Sequence, residues 1–428
     1  MANSRSTRGK NNLLFIIPVL MIAGLLVWPK HDAAGREKAA RIWEIQSIDT
    51  MKTSRDQARA QLNNKEYDKV IDQEARAIKD LGATHIAIGT PYDEEFLPYL
   101  KRWVSAARRH NLNVWFRGNF SRWEGWFDYP KDMSPEEHLT ATSQFITDNK
   151  NLFKDGDAFD PCPECENAGH WPQPAKNNEF NEYLVRQHEG VKEATAKTGK
   201  NIITNAFSVI GGRAYEVMSP GAAQALDDVV VIDHYIKDPA NMGEYVTYFH
   251  NELGARTLVG EFGAPIPDIN GEMTEAQQAK YVDDIMTELY KQRSRVYGMN
   301  YYVLSVGTTA LLNEDGSERQ AASVLRRYYK PAVVRGRVTD ATGAPASDVR
   351  IVTSDGISET VTQKDGSYTL AVPVQSVTLR YESRTYIPQQ KAVVITEAGD
   401  VKQNVVVSPQ SPTLFYKMRL WFKKLLSG

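Results

Sequence analysis

Only two cysteines occur in 428 residues. That number excludes a multi-disulfide scaffold and a four-thiolate zinc centre. A surplus of charge is missing too: 51 basic residues face 53 acidic ones, a net of −2. A global basic field for nucleic acid is therefore absent. No glycine-rich phosphate loop follows the first apolar strand pattern. Ile48-Asp49-Thr50-Met51-Lys52 stands there instead, which argues against a doubly wound nucleotide-binding sheet. What is present is ordinary core material, 42% apolar and 24% charged, so the chain is not of the disordered class. About 150 residues per domain suggests roughly three domains, although a barrel can run to about 250 as one unit. Aromatics reach 10%, with 8 Trp and 20 Tyr, a mild hint of a surface that stacks on flat ligands.

The two ends differ from the middle. Residues 13–28 read LLFIIPVLMIAGLLVW without a charge, after Arg5, Arg8 and Lys10. This is a basic segment followed by an apolar one, the pattern of an export signal. As a helix it would span roughly 24 Å, slightly short of a hydrocarbon core of about 30 Å. A cleaved signal peptide, with Ala33-Ala34-Gly35 as its weak cleavage candidate, and an uncleaved anchor both fit. The anchor is the preferred expectation, with the bulk of the chain outside the cytoplasm. Ser408-Pro409-Gln410-Ser411-Pro412 reads as a linker. Beyond it, Leu414, Phe415, Met418, Trp421, Phe422, Leu425 and Leu426 recur at three- to four-residue steps among Lys417, Arg419, Lys423 and Lys424. A short basic amphipathic helix fits, lying on an anionic membrane or docked on the body.

Between residues 36 and 330 short apolar runs alternate with helical patterns. Extended segments are expected at Ile42–Ile48, Thr84–Gly89, Asn113–Arg117, Asp157–Pro161, Asn201–Phe207, Val229–Tyr235, Thr257–Phe262 and Tyr297–Leu304. Helices are expected between and after them. Two are opened by capping sequences, Ser134-Pro135-Glu136-Glu137 and Thr274-Glu275-Ala276-Gln277. Eight such units predict an α/β fold, a (β/α)8 TIM barrel, with its chemistry at the C-terminal strand ends.

Polar groups at those ends then become the candidates. The seventh strand ends Leu258-Val259-Gly260-Glu261-Phe262-Gly263, which aims a carboxylate into the barrel mouth. The fourth ends Phe159-Asp160-Pro161-Cys162-Pro163-Glu164-Cys165-Glu166-Asn167, and offers Glu164 and Glu166. The sixth ends Asp233-His234-Tyr235, groups able to orient a carboxylate and tune it. A carboxyl pair facing across a barrel suits glycoside hydrolysis. One carboxyl donates a proton to the leaving oxygen, and the other attacks or activates water.

This pattern resembles glycoside hydrolase clan A, especially the family 5 cellulase-like enzymes, over the barrel. The resemblance implies Glu261 as nucleophile, Glu164 as acid/base and His234 and Tyr235 as support for Glu261. It implies a retaining reaction and no cofactor or metal. One departure stands out: Pro163 takes the place of the Asn that precedes the acid/base in that family. Glu166, before Asn167, is the alternative acid. Arg117 and Asn119 at the third strand end, Trp123 and Trp126 in the following loop, Trp171 after the fourth strand and Tyr302 at the eighth are candidate sugar-binding residues.

Cys162-Pro163-Glu164-Cys165 is also a C-x-x-C. A local disulfide that stiffens the acid/base loop is the preferred reading, against a free pair or a metal half-site. Residues 331–407 change to short alternating runs split by Asp365-Gly366 and Gly343-Ala344-Pro345 turns, which predict a small C-terminal all-β sandwich. It resembles the carboxypeptidase regulatory-like domain, and nothing in it looks catalytic. The chain thus divides into an N-terminal stalk (1–35), a barrel (36–330), a sandwich (331–407) and a tail (408–428). The functional expectation is a glycosidase at the cell membrane, single-pass and facing outward, or secreted if the segment is cleaved. Its partner would be a poly- or oligosaccharide, not nucleic acid. A catalytically inactive sugar-binding scaffold and a C-x-x-C redox protein are the rivals.

Overall fold

The structure, a computed structural model, describes residues 42–168, 178–205, 207–373, 376–395 and 400–427. The apolar segment 13–28, the triplet Ala33-Ala34-Gly35 and Trp171 lie outside the described residues. Among the described residues no helix is long and apolar enough to cross a membrane.

The strands β1 (Ile45–Asp49), β2 (His85–Ile88), β3 (Asn113–Phe116), β4 (Ala158–Phe159), β5 (Val209–Ile210), β6 (Val229–Asp233), β7 (Arg256–Phe262) and β8 (Val296–Tyr301) form one parallel sheet. Its order is β4-β3-β2-β1-β8-β7-β6-β5. An isolated parallel bridge, Ala158 to Ile203, joins the β4 edge to the segment that leads into β5, and the sheet is barrel-like. The strands are buried along nearly their whole length, as expected for a sheet covered by helices outside and by its own side chains inside. Ile45, Ala87, Trp115, Ala158, Val229, Val231 and Leu258 pack into one interior cluster. The helices cover the outside with a second, larger apolar cluster.

Both capping sequences work as their chemistry dictates. Ser134 and Glu137 exchange side-chain bonds with each other's backbone and open the helix Pro135–Asp148. Thr274 and Gln277 do the same for Glu275–Lys291. Between the fifth and sixth strands the chain forms two helices, Gly211–Val217 and Pro220–Ala225, rather than one. Pro220 cannot continue a preceding helix, and Ser219 caps the new one. The fifth strand also differs from expectation. Only Val209 and Ile210 pair regularly with β6, whereas Ile203 reaches β4. With just two residues in β4, no long ladder can form on that side.

The sandwich has one sheet ordered β11-β10-β13-β14, from Glu359–Val361, Arg350–Thr353, Ser376–Glu382 and Gln389–Val394. The other joins β12 (Ser367–Val372), β9 (Ala332–Asp340) and β15 (Asp400–Lys402), with β16 (Val405–Val407) also on β9. Inward residues such as Val334, Ile351, Leu370 and Leu379 make its core. The sandwich meets the barrel through Tyr290, whose hydroxyl is 2.9 Å from Ser358 Oγ and donates to the Ala371 carbonyl at 3.1 Å.

Candidate active site

At the C-terminal strand ends one guanidinium gathers four carboxylates. Arg117 directly follows β3 and has no exposed surface. Its nitrogens lie 3.1 Å from Asp49, 3.0 Å from Asp233, 3.0 Å from Glu261 and 3.6 Å from Asp160. It also donates to Ser208 Oγ at 2.7 Å. Beneath it lies the Trp115 ring, 5.3 Å from the guanidinium carbon. A single cation cannot hold four buried carboxylates ionised at ordinary pH. Burial accordingly pushes Asp160 up to about 7. Burial, with Glu261 adding repulsion, holds Asp233 well above the usual carboxylate range. Asp49 is raised by burial against the pull of Arg117, while Met51 N–H and Asn300 Nδ2 donate to it.

Glu261 is aimed by an irregularity in β7. Ile232 pairs with Val259, but Asp233 pairs with Glu261, so Gly260 is an extra residue in the ladder. A Cβ on Gly260 would stand 2.4 Å from Asp233 Oδ1, so only glycine fits there. Glu261 is buried and doubly held, Oε1 by Arg117 and Oε2 by the Tyr235 hydroxyl at 2.6 Å. Tyr302 stands beside Tyr235, ring centres 6.2 Å apart and edge to face.

Glu164 faces this group from the turn after β4. Carboxylate oxygens of Glu164, Asp233 and Glu261 all lie within 4.8 Å of one another. Glu164 has φ of 49°, a backbone region that non-glycine residues rarely adopt, and it sits inside the Cys162–Cys165 disulfide loop. Burial, then repulsion from Glu261 and Glu166, pushes its carboxyl up to about 7. The group therefore keeps its proton near neutrality, opposite a carboxylate already engaged by a cation. Such a pair can donate a proton from one side and present a nucleophile from the other. The same three side chains could converge on a cation, but the Arg117 guanidinium already contacts Asp233 and Glu261 at 3.0 Å each.

The structure thus brings Glu164, Glu261, Tyr235 and Tyr302 together, and it corrects several expectations. Arg117, Asn119 and Trp123 have no exposed surface, so they cannot present a face to sugar. Arg117 is the charge centre below the site. Asn119 braces the loop: its amide donates to Glu124 at 2.6 Å, and its carbonyl lies 2.7 Å from His138 Nε2. Trp123 stacks on Tyr183 at 6.0 Å and lies 4.3 Å from the His138 ring. Glu166 is likewise fully buried, where it accepts the Ile210 N–H at 2.6 Å and ties the β4 loop to β5. The His234 imidazole turns toward Gly211 and Tyr245, away from Glu261. Only its backbone N–H reaches Glu261, at the main-chain carbonyl, 2.7 Å away. Burial lowers that imidazole to about 4, so it is neutral. Trp126 stays half-exposed on the loop after β3, under Arg55 at 4.9 Å.

Sequence reasoning missed Asp49, Ser208 and Asn300. Asp49 and Asn300 share the one readable signal, a polar residue at the end of an apolar strand. Glu124, pushed up to about 7 by burial, was missed as well. The two cysteines are bonded to each other, buried, and lie in a turn rather than at the start of a helix. A thioredoxin-type site requires the helix.

Residues 333–408 match the family model of the carboxypeptidase regulatory-like domain. No curated protein matches the chain. Among solved structures, the chain is similar to a GH5_18 from Bifidobacterium longum subsp. infantis, at 12% identity and a TM-score of 0.51, over 70% of this chain and 84% of that one. A GH5_18 from Streptomyces cattleya in complex with GlcNAc gives 12%, 0.50, 70% and 84%. An FMN-binding beta-glucuronidase from Facaelibacterium prausnitzii L2-6 gives 13% identity and a TM-score of 0.45, over 82% of this chain. The chain spans only 54% of that structure's length. The chain therefore carries a carboxypeptidase regulatory-like domain behind a barrel that shares its fold with GH5 structures.

Proposed function

We propose that the chain is a retaining glycoside hydrolase that cleaves a poly- or oligosaccharide outside the cytoplasm. Glu261 attacks the anomeric carbon, and Glu164 protonates the leaving oxygen. Glu164, once ionised, then activates the water that releases the glycosyl-enzyme. The observation that carries this reading is the pair itself. Oxygens of Glu164 and Glu261 lie within 4.8 Å, and Glu164 is pushed up to about 7. Retaining enzymes separate their carboxyls by about 5–5.5 Å, whereas inverting ones need about 6.5–9.5 Å to admit water. Arg117 and Tyr235 orient Glu261 and receive the negative charge it regains when the intermediate breaks down. The half-exposed Trp126 and Tyr302 supply stacking faces at the mouth. Tethering by the apolar segment 13–28, with the barrel on the outer side of the cell membrane, belongs to the same proposal.

The test is the release of reducing ends from a panel of β-linked glycans, N-acetylglucosamine polymers included because one fold neighbour holds GlcNAc. Wild type, Glu164→Ala and Glu261→Ala are run side by side. Cleavage lost in both variants supports the proposal. Binding of a glycan without cleavage by the wild type would replace it with the inactive scaffold, for which Pro163 is the motive.

A further inference from the structure

The helix Leu414–Ser427 follows the sandwich. Phe415, Met418, Trp421, Phe422, Leu425 and Leu426 are exposed along it, from 47% at Met418 to 85% at Leu426. At about 100° per residue these side chains share one arc of roughly 140°. Tyr416, Leu420 and Lys423 fall on the reverse side. Tyr416 and Leu420 are half-buried, and Lys423 Nζ donates to the Ala341 carbonyl of the sandwich at 2.9 Å. The helix therefore rests on the body by its reverse face and turns its apolar arc away from it.

Charge says what covers the arc. Lys417 and Lys424 run along one edge and Arg419 along the other, and no Asp or Glu occurs between Val401 and Gly428. Apolar side chains flanked by cations on both edges match a bilayer interface, where the ring-bearing residues enter the acyl boundary and the cations meet lipid phosphates. Fourteen residues make a helix of about 21 Å, too short to cross a core of about 30 Å. We infer that this helix lies in the headgroup layer of an anionic membrane and holds the sandwich against it. The inference stands apart from the chemistry of the barrel.

Met418 is the reporter position, because the native cysteines are bonded to each other. The full-length chain with Met418→Cys carries an environment-sensitive fluorophore there. It is mixed with vesicles whose acyl chains are brominated, either of phosphatidylcholine or of phosphatidylcholine with phosphatidylglycerol. Bromine quenches only a probe that enters the acyl region, so the readout is specific to the tail. Roughly half or more of the emission is expected to be lost with anionic vesicles. High salt, or the combined Lys417→Gln, Arg419→Gln and Lys424→Gln variant, is expected to restore it. No quenching by anionic vesicles, or equal quenching by neutral ones, overturns the inference. So does a probe already in an apolar setting before lipid is added, since a second copy or a protein partner would then cover the arc.

Discussion

Arg117 and Glu261 meet at 3.0 Å across the barrel, one from the end of β3 and the other from β7, with the guanidinium fully sealed from solvent. The contact fixes the direction of the carboxylate that faces Glu164. It also places a cation where a buried cluster of acids would otherwise repel itself. Arg117→Met is expected to lower stability by about 3–5 kcal/mol, because it leaves buried carboxylates without their partner. Urea unfolding measures this. A loss under about 1 kcal/mol would contradict the role assigned to the network.

Glu164 must hold a proton to act as the acid, and burial with Glu261 beside it keeps that proton up to about 7. The rate of hydrolysis is therefore expected to fall as pH rises through about 7. Glu164→Gln should cost on the order of 10²–10⁴ in kcat and remove the alkaline limb of the profile. Substrates with a good leaving group should suffer least. An alkaline limb that survives in Glu164→Gln would assign the acid to another group.

Stability should carry its own pH dependence, read at Glu74. This buried carboxyl accepts bonds from Thr53 and Ser305 at 2.8 and 2.5 Å, and burial pushes it up to about 7 from an ordinary 4.5. The folded chain thus binds this proton more tightly than the unfolded one. Its contribution is complete below about 4.5 and is lost as pH rises through about 7. The difference amounts to roughly 3 kcal/mol at most. Glu74→Gln should flatten the fall of Tm between mildly acidic and mildly basic pH. An unchanged slope would mean that other groups govern it.

The two tryptophans of the loop after β3 should separate into packing and binding. Trp123 is sealed against Tyr183 and His138, so Trp123→Ala should cost about 3–5 kcal/mol of stability. Trp126 is half-exposed, so Trp126→Ala should leave Tm nearly unchanged and raise KM several-fold to about tenfold. Differential scanning calorimetry and steady-state kinetics on both variants decide it.

The alternation of apolar runs and capped helices made the barrel legible, because period and capping are local properties that the sequence carries directly. Glu261 was legible for the same reason, a charge closing an apolar strand. The fate of Trp123 was not. A tryptophan in a loop reads identically whether it faces water or packs under a helix, and only the arrival of Tyr183 and His138 decides. Arg117 looked like a ligand contact because its four carboxylates come from β1, β4, β6 and β7, which no local pattern brings together. The neutral, turned-away His234 depends on Gly211, whose missing side chain makes room for the ring: a Cβ there would stand 2.0 Å from Nδ1. The broken fifth strand was not legible, because Ile203 bridges β4 while Val209 and Ile210 pair with β6, a division that three segments decide together.

The measurement that bears most directly on the Glu164–Glu261 pair is the anomeric configuration of the product as it first forms. It is followed by proton NMR on a β-linked glycan that the wild-type chain cleaves. The account predicts the β-anomer first, with the α-anomer growing only by mutarotation. First appearance of the α-anomer would mean inversion, and would contradict a nucleophilic Glu261 within 4.8 Å of its acid.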